Sequence, residues 1–177
     1  MTATWRTTKP GSGEFTPYYQ SYIDEVPSGD VVATLEAQRK ETAALLAGAA
    51  AAKADFRYAP GKWSVKEIVG HVADAERVFA YRALRFARGD ATPLPGFNEN
   101  AWVPAGNFGA RTLADLATEL AAVRDGTLAL ARSLDDAAAA GRGTANGKEI
   151  SVRALVWITA GHERHHLRVL RERYLGG

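Results

Sequence analysis

Apolar residues recur every three or four positions along four stretches of the chain, the spacing of a helix with one buried face. The first, about residues 30–53, opens at Ser28-Gly29-Asp30 and carries Val32, Leu35, Thr42, Leu45 and Leu46 on one stripe. The second opens at Ser64, where Ser64 and Glu67 make a capping box, each side chain satisfying an orphan backbone N–H. Its stripe is Val65, Ile68, Val72, Ala75, Phe79 and Phe86, and it ends at Gly89-Asp90. The third opens at Thr112, with Asp115 in its first turn, and carries Leu113, Leu116, Leu120, Val123 and Leu130. The fourth opens at Ser151 and runs to about Tyr174, with Leu155, Ile158 and Val169 along one face and Gly176-Gly177 closing it. No stretch alternates with period two for long, so strands are not expected. Two amphipathic helices cannot enclose a core for 177 residues, but four can. The pattern predicts an all-α, four-helix bundle.

The connecting segments are uneven. Residues 1–29 hold Pro10, Pro17 and Pro27 and read as an extended arm, packed on the body through the aromatic residues of FTPYYQSYI. Residues 30–177 then form one bundle domain. Between the second and third helices lies DATPLPGFNENAWVPAGNFGAR. A loop that long can cross the bundle's end or its length, so those helices need not be antiparallel neighbours. Leu94, Phe97, Trp102 and Phe108 make it too apolar for solvent filler, and it is expected to cover one end of the bundle. Loops of this length are often functional.

Composition narrows the class. A hydrophobic share of 46% and a charged share of 24% are those of a soluble globular chain. The net charge of +2 comes without a basic run or an Arg/Lys cluster interleaved with aromatics, which argues against nucleic acid. With no cysteine, the chain offers no disulfide, thiolate ligand or thiol nucleophile. The amino end has no apolar signal core, and the longest apolar run, AALLAGAAAA, is half a membrane span. The expectation is a cytoplasmic protein that engages no membrane.

Three of the four histidines lie in GHERHH, residues 161–166, and His162 to His166 fits H-E-x-x-H. A histidine pair at i and i+4 is offset by about 40° on a helix with side chains about 6 Å apart, so both imidazoles can reach one cation. His162 and His166 continue the line of Leu155 and Ile158 and should face the interior; His165, about 60° round from His162, is the weaker candidate. A catalytic zinc-type site has three protein ligands and an open position. Downstream the one carboxylate is Glu172, about 240° round the helix and facing away. The third ligand must lie upstream, and the remaining histidine is His71, beside Ile68, Val72 and Ala75. His71 is about 10 Å from the start of its helix, and the C-terminal pair about 15 Å from the end of theirs. Antiparallel packing of these helices brings the three imidazoles within one turn in height; parallel packing misses by about 10 Å. Spacing favours the former, although a histidine on an apolar face can equally be a hydrogen-bonded core residue.

The segments RYAPGKWSVKEIVGHVADAERVFAYRALRFARGDATPLPGF and GTANGKEISVRALVWITAGHERHHLRVLRERY resemble the DinB-like, or YfiT-like, superfamily. The resemblance runs from about Tyr18 to Tyr174 and is sharpest in W-S…G-H…D-x-E-R and in H-x-x-x-H. It implies an up-down-down-up bundle and a divalent metal, nickel or zinc, held by His71, His162 and His166. It also makes H-E-x-x-H an overlay. Glu163 then reads as a solvated or ion-paired carboxylate, the alternative being a place near a metal-bound water. Asp74, one turn from His71, either orients an imidazole or pairs with Arg77 or Arg82. Members of the superfamily include thiol-dependent S-transferases using bacillithiol or mycothiol, and a mycothiol-dependent maleylpyruvate isomerase. There the metal lowers the pKa of a low-molecular-weight thiol that attacks a small-molecule substrate. Metal-dependent hydrolysis and a non-catalytic, stress-induced metal-binding bundle are the alternatives, and a homodimer is implied.

Overall fold

The computed structural model describes residues 3–49 and 51–176. In chain order the helices are α1 (Gln20–Glu25), α2 (Val31–Gly48), α3 (Val65–Ala87), α4 (Glu99–Ala105), α5 (Leu113–Ser133), α6 (Asp136–Ala140) and α7 (Val152–Val169). A short π-helical turn, Leu170–Leu175, extends α7. The bundle helices α2, α3, α5 and α7 begin at Asp30, Ser64, Thr112 and Ser151, whose side chains each accept a backbone N–H of the first turn. Such caps satisfy donors that have no partner within the helix. Ser64 and Glu67 form the expected capping box. α2 stops at Gly48, short of the predicted end near residue 53, because glycine is a poor helix former and Ala49 turns extended.

Side-chain pairs fix the directions. Gln38 donates to the Ala160 carbonyl and Thr42 to Glu163, so α2 and α7 run parallel. Glu36 pairs with Arg132 and Arg39 with Asp125, so α5 runs against α2. Lys66 reaches the Gly109 carbonyl and Glu76 meets Arg124, so α3 and α5 run parallel. Tyr174 donates to the Trp63 carbonyl while Phe79 lies against His162, so α3 and α7 are antiparallel. The result is a four-helix bundle of up-down-down-up order. Trp157, Phe86, Leu155, Ile158 and Leu116 are fully buried in it. Each such aliphatic or phenyl side chain contributes about 1.5–3 kcal/mol relative to exposure.

The long loop does not cap an end of the bundle. Near its start Leu94 is hydrogen-bonded to Thr144 and Asn146, and the Pro95 carbonyl accepts from Arg82. Farther on, the Phe108 ring fills the notch at Gly70, where a Cβ would come within 2.4 Å of it. From Arg82 to Gly70 is about 18 Å of helix, so the loop runs along α3. Two parallel neighbours require that path, because α5 must start where α3 started.

Strands were not expected, yet β1 (Arg142–Ala145) and β2 (Lys148–Ser151) form an antiparallel hairpin. Four residues a side are too few to display a period of two. The turn is Asn146-Gly147, both at positive φ (52° and 69°), the two-residue turn whose twist suits a hairpin.

The arm is well tied to the body. Trp5 is buried, its indole N–H donates to the Leu134 carbonyl, and its own carbonyl accepts from Trp157. Burial pushes the Glu14 carboxyl up, but Arg153, the Gly11 N–H and Ser151 together outweigh it and hold it at about 2. At Gly161 the approach is backbone to backbone: an added Cβ would sit 1.9 Å from the Tyr22 carbonyl oxygen. α1 can lie on α7 there only because that residue has no side chain.

Candidate metal centre

His71 on α3 and His162 and His166 on α7 bring three imidazole nitrogens to one point. The Nε2 atom of His162 lies 3.1 Å from that of His71 and 3.2 Å from that of His166. The three ligand atoms are all within 4.8 Å of one another. Three nitrogens each about 2.05 Å from a tetrahedral ion would stand about 3.3 Å apart, close to the separations found. A single Nε2 carries one proton or one lone pair, so His162 cannot make two good hydrogen bonds at once. A shared cation would satisfy all three.

The surroundings keep these rings uncharged. Trp63 packs 4.8 Å from His71, centroid to centroid; Tyr22 and Phe79 lie 5.4 and 5.7 Å from His162. Burial lowers His71 to about 4, partly opposed by the negative field of Glu99. It drives His162 and His166 well below the ordinary histidine range, helped by repulsion from neighbouring imidazoles when charged. Neutral imidazoles are the form that binds metal. A cavity of about 320 Å³ opens beside His166, walled in part by Tyr58, Lys62, Trp63, Asn100 and Tyr174. A larger one, about 740 Å³, lies between the end of α2 and the start of α5, is largely apolar and contains no histidine. The smaller cavity is the one at the candidate chemistry.

His165 stays outside the cluster, with its Nδ1 3.3 Å from Arg168 and 3.5 Å from Glu25. Glu163 is ion-paired but not solvated: it is 2% exposed and points toward α2 and α5. Thr42 donates to its Oε1 at 2.7 Å, and Arg124 Nη2 lies 2.8 Å from Oε2 without a well-aligned hydrogen bond. Of the two roles open to Asp74, the pairing with Arg77 is present, at 3.1 Å, while Arg82 goes to Pro95. Glu172 meets Arg168 on the surface, as its azimuth requires.

The model of the DinB superfamily matches residues 34–170. The chain belongs to the DinB superfamily. Among solved structures it is similar to YfiT from Bacillus subtilis, described as a probable metal-dependent hydrolase with an unusual four-helix bundle topology. Identity is 18% and the TM-score 0.65, over 90% of this chain and 87% of that one. It is also similar to the mycothiol-dependent maleylpyruvate isomerase, at 14% identity and a TM-score of 0.67. There the match covers 88% of this chain and 63% of the isomerase, so the chain spans under two thirds of that length. At these identities the likeness is one of superfamily fold. No curated protein matches the chain.

Several residues at the site escape a sequence reading. Trp63 registers only as the first residue of the W-S motif, with no role attached, and Tyr22 only as part of an aromatic arm. Glu99, Asn100 and Lys62 carry no local signal, because long-range folding alone brings them near His71 or the cavity.

Proposed function

We propose that the chain is a divalent-metal-dependent enzyme acting on a small molecule, with nickel or zinc held by His71, His162 and His166. The observation that carries this reading is the convergence of three uncharged Nε2 atoms beside a cavity. A divalent cation supplies an open position at which a thiol or a water gives up its proton near neutral pH. The protein's part is to hold the imidazoles neutral and mutually oriented, through burial and the packing of Trp63, Tyr22 and Phe79. Those aromatic faces limit water at the ligands, and the cavity admits the reactant from the His166 side.

Thiol-dependent S-transfer, with a low-molecular-weight thiol of the bacillithiol or mycothiol type, is the leading reaction. The chain has no cysteine, so the sulfur must arrive with the reactant. The fold shared with a mycothiol-dependent enzyme supports that choice. Hydrolysis is the second reading, supported by the fold shared with YfiT.

Metal analysis of protein purified without a histidine tag should find one divalent ion per chain, absent in His71→Ala. A wild-type chain without metal sinks the proposal. Metal-dependent conjugation of an electrophile by an added thiol supports S-transfer, and thiol-independent, metal-dependent ester or amide cleavage supports hydrolysis. Neither activity, with metal bound, leaves a non-catalytic metal-binding bundle.

A further inference from the structure

The cavity beside His166 has the volume of about ten liquid waters, so it takes only a small molecule. Tyr58, Trp63 and Tyr174 turn aromatic surface toward it, and Ile68 and Val169 add aliphatic surface. Among its lining residues the one fixed charge is the ammonium of Lys62; no carboxylate lines it. Glu99, whose field reaches His71, Tyr19 and Tyr22, is not one of those residues.

Lys62 differs from the cations near it. Arg57 is paired with Glu67 and Lys66 with Asp55. The Lys62 ammonium has no acidic partner among the described residues, and it lies 5.9 Å from the centroid of the Tyr58 ring. The backbone beneath it is fixed, however. The Lys62 carbonyl accepts from Arg57 at 2.7 Å, and the next carbonyl, that of Trp63, accepts from Tyr174 at 2.7 Å. The side chain therefore leaves a set point on the rim with its charge uncompensated. An exposed lysine is ordinary; one that is the sole fixed charge of a pocket combining aromatic rings with neutral polar groups sets the charge of what the pocket accepts.

We propose that the small molecule taken at this site is a carboxylate with a planar, apolar body, lying against the aromatic surface of Trp63, Tyr58 and Tyr174 with its carboxylate on Lys62. This rests on the reading of the histidines as a metal centre acting on a small molecule, and adds the reactant's charge and shape.

Calorimetric titration of the zinc-loaded protein with benzoate and with benzamide tests it, with zinc content measured on the same sample. Benzoate should bind about tenfold more tightly than benzamide, in line with one charge-assisted contact. Lys62→Met should remove that advantage and leave benzamide unchanged, while Lys62→Arg should preserve it. Equal affinity for acid and amide overturns the proposal and leaves the metal centre standing. So does a benzoate preference that Lys62→Met does not alter, which would mean capture by zinc itself. A sample that retains no zinc overturns the metal reading and this one together. Lys62 is exposed, so an unchanged melting temperature is expected and confirms that the comparison is between folded proteins.

Discussion

Two polar clusters lie on different sides of α7, and they meet the cost of burial in different ways. On the side facing α2 and α5, Arg124 makes two hydrogen bonds of 2.7 Å to Glu76 and lies 2.8 Å from Glu163. Thr42 and the Leu35 carbonyl complete that network, and its charged members are almost wholly inaccessible. On the side facing α3, three imidazoles meet with no carboxylate among them, and burial strips their protons. The first cluster answers charge with charge, one guanidinium set between two carboxylates. The second removes charge and leaves three Nε2 atoms directed at one another, an arrangement that a cation would complete.

Breaking the charged cluster should have the largest effect. Arg124→Met leaves Glu76 and Glu163 buried without a cation and should lower the unfolding free energy by about 3–5 kcal/mol, read from urea denaturation. A loss below about 1 kcal/mol would mean that the network is solvated and the contrast false. Acid should break the histidine cluster next. His71 titrates at about 4 in the fold and at 6.5 when exposed, so between those values the unfolded chain binds more protons. Its contribution is complete above pH 6.5 and is lost as the pH falls toward 4 and below, about 3 kcal/mol in the metal-free protein. Thermal melts across that range check it; a flat profile would show that the imidazoles reach water. The smallest effect is expected at Asp74. Its pair with Arg77 is partly exposed, so Asp74→Asn should cost under about 1 kcal/mol and leave metal affinity unchanged. A tenfold loss of affinity would instead make Asp74 an orienting partner of an imidazole.

The two clusters also differ in how far they can be read from the chain. The histidines are legible because helical rise turns residue number into height, and antiparallel packing brings His71 level with His162 and His166. The helix starts at Ser64, Thr112 and Ser151 are legible because a cap is a local bargain between one side chain and the next turn. The charged network is not. Val123 fits the core stripe but is only half-buried, while its neighbour Arg124 is 1% exposed. A lone charge in a helical pattern reads as solvent-facing, and only pairing across three helices makes its burial tolerable. Glu163 suffers from the same ambiguity, since ion pairing is foreseeable and depth is not. The path of the long loop depends on Phe108 finding Gly70 across 38 residues, which no local pattern announces. The hairpin did leave a trace: Asn146-Gly147 is a strong turn signal that a search for alternation alone passes over.

The bare backbone at Gly161 has a practical consequence. It seats Tyr22 against the very next residue of α7, a proposed ligand, so the amino-terminal arm walls the histidine cluster without being among the cavity's lining residues. Trimming the chain to a minimal bundle would unroof His162 and could be mistaken for proof that the site is inert.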